Sequence, residues 1–460
     1  MKYRFIAFAL SALFVISCSS LKEEEEKEQG VFPYEIHQTR LDNGLNVVTV
    51  PYNSPGLAAF YIVVRAGSRN EIEPGKTGFA HFFEHMMFRG TEKYSKEKYS
   101  EELKAIGAAA NANTWWDRTV YHMTGNANML DKMFELESDR FMNLKYSEAD
   151  FKVEAGAVKG EYTKNYASPY MKLYEKTYNT AFKTHTYSHT TMGFWEDVVD
   201  MPNQYEYSLK FFDRFYKPEY CTIIVVGDVT PEKVDALATE YFGKWKHGSY
   251  TQEIPVEPEQ TETRYAHVQE KNFPPVLSLN YKDPAFSADN KDLAALDLIA
   301  SIGFSEKSPL YKKLVVDQRK VRSLDAGGLD MVDPGLWSVN AVLVNPNDMT
   351  EVKNEIEEEL NKFKTQPVDS AELAQAKSHI MYQYAMGIDS PDAIANSLAW
   401  FTWLTGNPAD VNRAYARYET ITPQDIMDAA NRYLVSQHLT VATISADEEY
   451  VEPETDKTKM

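Results

Sequence analysis

The sequence predicts an α+β protein built from two similar units in one chain, and three observations lead there. The chain has 460 residues, of which 43% are apolar, so it is too long for one ordinary domain and too apolar for a disordered chain. Short β-branched runs alternate with helical stretches on both sides of a Pro/Glu/Thr-rich interruption from His247 to Thr263, which contains Pro255 and Pro258. Arg214, Phe215 and Thr222 are matched by Arg432, Tyr433 and Thr440, each 218 positions later, at a helix–strand junction that closes each half. Two chance junctions are the alternative to a duplication.

Taken in order, the first thirty residues read as an address. Lys2 and Arg4 form a basic start, Phe5 to Ile16 is an apolar run of twelve residues, and small residues precede Cys18. Twelve residues do not span a bilayer, which takes about 20. Residues 1–17 are expected to be a secretory signal, and its end resembles the lipobox of bacterial lipoproteins, in which the cysteine is acylated and becomes the first residue. Cys18 would then anchor the protein to the bacterial cell envelope, on the periplasmic face or the outer-membrane surface. An ordinary cleaved signal with an incidental cysteine is the alternative. Residues 18–31, with the charged run Lys22 to Glu28, have no apolar period and read as an acidic tether.

The N-terminal unit is expected over 32–246. It begins with Leu41-Asp42-Asn43-Gly44-Leu45, a turn signal between two alternating strands. Ala59 to Val64 is a nearly continuous apolar strand, helical stretches follow, and Cys221 to Val226 is the closing strand. A linker is expected over 247–265, the second unit over 266–447, and an acidic tail over 448–460.

Composition removes several functions. The balance of 48 Lys+Arg against 68 Asp+Glu gives a net charge of −20, which repels nucleic acid over most of the surface and excludes it as a partner. Two cysteines without C-x-x-C spacing make neither a disulfide framework nor a zinc ribbon, and Cys221, in an apolar strand, reads as an inert buried thiol. Gly75-Lys76-Thr77 resembles the end of a phosphate loop, but Asn70 stands where the first glycine belongs. His185 and His189 share the i,i+4 spacing of metal ligands without an adjacent acid, and read as polar loop residues ahead of a second metal site. Trp115 and Trp116 read as packing, or as part of a substrate surface.

The most informative stretch is Gly78 to Phe88, which contains His81, Glu84 and His85. At about 100° per residue, His85 lies about 40° to one side of His81 and Glu84 about 60° to the other, so all three leave one helical face. Two imidazoles one turn apart can chelate one Zn²⁺, and a carboxylate beside them can take a proton from water at the metal. This is H-x-x-E-H, the inverse of H-E-x-x-H. An amphipathic core helix with two satisfied histidines is the alternative, but burying two imidazoles and a carboxylate among Phe79, Phe82, Phe83 and Phe88 is costly without a cation. Glu154 and Glu161, two helical turns apart, share a face, and either could be the third ligand; taken alone such a pair is a solvated helix face.

With these residues in view, the sequence resembles the pitrilysin/insulinase family of zinc metallopeptidases, the inverzincins. The resemblance rests on Ala66-Gly67-Ser68-Arg69-Asn70-Glu71, on His81 to His85 followed by Gly90-Thr91, on Asn111-Ala112-Asn113-Thr114 with Thr119-Val120-Tyr121, and on Val225 to Val229. It implies two homologous α/β domains, each a mostly antiparallel sheet packed with helices, forming half of a clamshell chamber. It further implies one zinc per chain held by His81, His85 and Glu161, with Glu84 as general base and Glu154 as a second carboxylate supporting the site. Asn111, Ala112, Asn113 and Thr114 would form an edge strand on which peptide substrates lie extended. The implied function is a zinc-dependent endopeptidase degrading short unfolded peptides; a catalytically silent peptide-binding or scaffold relative is the alternative. One departure stands out: the family's Arg and Tyr, seven positions apart in the half chamber without zinc, are replaced here by Val315 and Arg322. A second family subunit supplying that pair, or a homodimer, is the expected partner.

Overall fold

The turn at Asn43-Gly44 joins two antiparallel strands, β1 (His37–Arg40) and β2 (Asn46–Pro51), and Gly44 takes φ 91°, which disfavours any other residue there. This is seen in a computed structural model whose described residues are 30–449; the expected signal, the Cys18 anchor and most of the tether and tail lie outside them. Strands β3 (Leu57–Val64), β4 (Ala109–Thr114), β5 (Thr119–Asn126) and β6 (Cys221–Gly227) complete a six-stranded sheet in the order β1-β2-β6-β3-β5-β4. A second sheet contains β7 (Arg264–Gln269), β8 (Val276–Lys282), β9 (Val321–Gly328), β10 (Leu336–Leu343) and β11 (Leu439–Ser445), ordered β7-β11-β8-β10-β9.

Without β1, the two sheets follow one path, and each has a single parallel pair, β2 with β6 and β7 with β11, among antiparallel neighbours. The 218-residue offset carries through this frame: Asn46 pairs with Thr222 and Arg264 with Thr440, and the helix Tyr205–Phe215 recurs as Pro423–Tyr433. A shared offset, strand order and register make the repeat a duplication, and the fold is α+β with two homologous domains. β7 starts at Arg264, inside the span expected as linker. Its start is set by backbone pairing to the distant β11, which the local Thr/Glu composition does not signal.

Each sheet is covered partly by the other half. Ile394, Ala395 and Leu398 of the second-half helix Pro391–Thr405 pack on Val48, Tyr61, Val63 and Ile224 of the first sheet. In return, Leu173 of the first-half helix Pro169–Ala181 packs against Ala266, Val276, Ala442 and Ile444 of the second. This is why β6 is buried along its whole length and reads as an uninterrupted apolar run.

The helix Phe79–Met86 turns Phe79, Phe82, Phe83 and Met86 into the first core, where Phe83 stacks on Phe211 with ring centroids 5.3 Å apart. Its N-cap is Gly78, at φ 90°, which has no side chain to cap with. The buried Glu71 caps the helix instead, accepting the amides of Gly78 and Ala80 at 2.7 Å each. Burial pushes the Glu71 carboxyl up to about 8, against the pull of those two amides, from an ordinary value of 4.5. Because the folded state holds this proton more tightly than the unfolded chain, the group's contribution to stability is fullest below 4.5 and falls as pH rises through 8. Glu71→Gln should carry a constant cost of about 1–3 kcal/mol for one lost acceptor. The variant should nevertheless lose less stability than the wild type between about pH 5 and pH 8 in urea denaturation; parallel pH profiles would contradict this.

Candidate metal centre

The crossing of the helix Phe79–Met86 with the longer helix Glu148–Tyr166 brings the candidate ligands together. His85 Nε2 lies 3.3 Å and His81 Nε2 3.8 Å from Glu161 Oε2. A tetrahedral zinc with bonds of roughly 2.1 Å separates its ligand atoms by about 3.4 Å, so the spacing suits one ion bridging the three side chains. The ligand atoms of His81, His85 and Glu161 all fall within 4.8 Å of one another, the only such group among the described residues. Burial lowers the His81 imidazole below its usual value, despite the nearby Glu84 and Glu161 carboxylates, which favours the neutral ring that a metal requires.

Glu154 lies two turns from Glu161 and does a different job. Its Oε1 is 2.9 Å from His85 Nδ1 and its Oε2 is gripped by the Arg89 guanidinium. Burial would raise the Glu154 carboxyl, but the hydrogen bonds from His85 and Arg89 outweigh it and hold the group below the ordinary range. An ionised Glu154 orients the ring of His85 and leaves Nε2 facing Glu161. The hydrogen bond to Glu154 in turn raises the His85 imidazole above its usual value. His81 has no such support: its Nδ1 is buried without a hydrogen-bond partner among the described residues.

Glu84 projects beside the two histidines, and its Oε2 accepts a 2.6 Å hydrogen bond from Thr114 Oγ1. Thr114 ends β4, which is the edge of the first sheet. In the β4–β5 hairpin Trp115 N–H bonds to Arg118 O, so the alternation of the antiparallel ladder turns the main-chain groups of Ala112 and Thr114 to the open side, while Asn111 and Asn113 bond to β5. The open edge thus ends at Glu84. Arg118, in the turn, donates to Asn113 O at 3.1 Å; burial lowers its guanidinium to about 10 against the opposing charge of Glu84.

Other sequence candidates have structural roles. His185 and His189 are buried: His185 Nε2 is 2.9 Å from Asp333 Oδ2 of the second half, and His189 Nδ1 is 3.0 Å from Thr190 O. They are interior because Trp116, Tyr178 and Phe182 close over this segment, a long-range packing that the i,i+4 spacing does not signal. Trp116 is wholly enclosed, giving its Nε1–H to His189 O at 2.9 Å, whereas Trp115 is half-buried. Thr77 bonds to Asp197 and Lys76 to Gln204, so neither is free for phosphate. Cys221 is buried, which pushes its thiol well up. Val315 packs against the second core and Arg322 is exposed on β9. Arg89 belongs to the site yet carries no sequence signal of that role, since its partner Glu154 is 65 positions away; Glu71 and Arg118 act on residues five to nine positions off, but through side-chain-to-backbone bonds that no residue spacing marks.

Comparison with known proteins gives this geometry a family. Residues 47–193 match the family model described as Insulinase (Peptidase family M16), and residues 204–380 match Peptidase M16 inactive domain. Zinc protease PqqE of Helicobacter pylori is 30% identical over 403 residues, covering 85% of this chain and 89% of that protein. Mitochondrial-processing peptidase subunit beta of Caenorhabditis elegans is 24% identical over 451 residues, 94% of each chain. The crystal structure of a protease from Helicobacter pylori superposes with a TM-score of 0.82 at 28% identity, covering 90% of this chain and 99% of that one. With its fold, its paired domains and a relative of this similarity over most of its length, the chain belongs to the insulinase family of peptidases, M16.

Proposed function

We propose that this chain is a zinc-dependent endopeptidase acting on short unfolded peptides. The observation that carries the reading is the convergence of His81, His85 and Glu161 beside Glu84, at the end of an open sheet edge. Zinc held by His81, His85 and Glu161 would acidify water and polarise the scissile carbonyl when bound. Glu84 is the general base: Thr114 fixes one carboxylate oxygen and leaves the other to take a proton and pass it to the leaving amine. An extended peptide pairs with the outward main chain of Ala112 and Thr114 on β4, which places its backbone beside Glu84 with little demand on its side chains. Asn111 and Asn113, exposed on the same strand, flank that track.

The reading extends to a partner. The inactive-domain model matches residues 204–380, most of them in the second half, and the stretch with Val315 and Arg322 offers no Arg/Tyr pair. A related subunit that carries the pair, or less effectively a second copy of this chain, closes the chamber and excludes folded proteins. The mitochondrial relative is, by its name, one subunit of a processing peptidase. No helix of the described residues is long and apolar enough to cross a membrane. The lipobox-like end of the first segment supports acylation at Cys18 as the attachment to the envelope.

Glu84→Gln should keep zinc and lose turnover of a quenched peptide by about 10²-fold or more, whereas His81→Ala and Glu161→Ala should lose the metal itself. Wild-type rates from Glu84→Gln would remove the base assignment; less than about half an equivalent of zinc in wild-type protein purified without chelator would make the silent, scaffold reading the better one. The chain alone should cleave weakly, and a partner carrying the Arg/Tyr pair should raise the rate about tenfold or more. Full activity from a preparation that light scattering finds monomeric would contradict the shared chamber. Mass spectrometry should find lipid on Cys18 and none in Cys18→Ala; an unlipidated wild type would leave a plain secreted enzyme.

A further inference from the structure

The open edge of β4 does not lead into empty solvent. Beyond Thr114 the chain turns back into β5, and Trp115 and Trp116 of that turn join Leu329, Met331 and Leu336 of the second half in one apolar cluster. A peptide that continues straight past Thr114 therefore runs onto the seam between the halves. A cavity of about 660 Å³ lies there, between Trp115, the first-half helix Pro169–Ala181 and strands β8, β9 and β10 of the second sheet. That volume admits even the largest amino-acid side chains.

Its two sides differ in chemistry. The first half supplies aromatic rings, from Tyr170, which is 46% exposed, and from the half-buried Trp115 and Tyr174. The second sheet supplies polar groups that are largely engaged with one another: Ser278 donates to Asn340 Oδ1 and Ser338 to Asn280 Oδ1, each at 2.7 Å. Asn340 in turn donates to Asp325 Oδ2 at 3.0 Å. Asp325, exposed on the edge strand β9, makes no ion pair among the described residues and is the one charged side chain among those lining the cavity. A carboxylate accepts several hydrogen bonds, so the one from Asn340 leaves Asp325 able to take a donor from a bound group.

We propose that this cavity is a side-chain subsite that selects peptides with an aromatic residue, tyrosine above all: the ring lies among Trp115, Tyr170 and Tyr174, and the phenol O–H donates to Asp325. The inference rests on the reading of β4 as a peptide track and names the class of peptide that the track receives. A short side chain would leave the rings wet, an acidic one would meet the Asp325 carboxylate, and a basic one would reach that carboxylate while covering less of the rings. Binding is read apart from hydrolysis by fluorescence anisotropy on the full Glu84→Gln chain, with labelled short Gly/Ser peptides that carry a single central Tyr, Phe, Arg or Ala. The Tyr peptide should bind about tenfold or more tightly than the Ala peptide, and severalfold more tightly than the Phe or Arg peptide. Adding Asp325→Ala should remove the margin of Tyr over Phe. Adding Tyr170→Ala, a change at an exposed ring, should weaken both while leaving the melting temperature near that of the parent. Equal binding of the Tyr and Ala peptides, Arg ahead of Tyr, or either added variant binding like its parent would overturn the proposal. A wild-type chain that hydrolyses no peptide while the Tyr preference holds would sink the peptidase reading and support the subsite; hydrolysis of quenched peptides with no Tyr preference in binding would do the reverse.

Discussion

Two imidazoles and two carboxylates meet where the helix Phe79–Met86 crosses the helix Glu148–Tyr166, and the rest of the first half holds that crossing in place. The arrangement is costly to fold. Four polar groups are taken wholly or partly out of water beside an aromatic core, and the ring Nδ1 of His81 has no protein partner among the described residues. The surrounding structure offsets this in specific ways. Phe79, Phe82 and Phe83 bury the opposite face of the short helix, Glu71 caps an end that Gly78 cannot cap, and Arg89 keeps Glu154 ionised so that it steadies His85. A divalent cation among His81, His85 and Glu161 would offset most of the remaining cost.

The duplicated frame explains why only one half has this chemistry. In the second half the helix Lys291–Phe304 follows the second strand, as the metal helix follows β3, and its C-terminal part, Leu298 to Phe304, is almost entirely apolar. The same architecture is therefore used there for packing. The exchange of Pro391–Thr405 for Pro169–Ala181 between the sheets ties the halves together, and Asp333 adds a latch by contacting both Arg69 and His185 of the first half. β4 and its turn are fixed on that latch, because Trp116 O accepts the amide of Arg69 at 2.8 Å. The Ala66 to Glu71 segment thus serves both ends of the site: Arg69 supports the edge strand and Glu71 the metal helix.

Much of this was legible because it is local. The spacing of His81, Glu84 and His85 defines a helical face whatever surrounds it, and the 218-residue offset survives in the strands because a register pinned on both sides tolerates no insertion. The i,i+7 spacing of Glu154 and Glu161 placed both on one face but could not divide the work between them. That division depends on Arg89, whose side chain reaches Glu154 across 65 positions of chain. The buried state of His185 and His189 and the reciprocal helix packing were hidden for the same reason. Each arises from contacts between segments whose own sequences are unremarkable, and pattern within a window carries no information about them.

His81, His85 and Glu161 are proposed to hold one metal ion. Crystals of protein purified without chelator, measured at the zinc absorption edge, address it most directly. One anomalous peak per chain is expected, about 2.0–2.2 Å from His81 Nε2, His85 Nε2 and a Glu161 carboxylate oxygen. The absence of a peak between those three side chains, in protein that retains the fold, would contradict it.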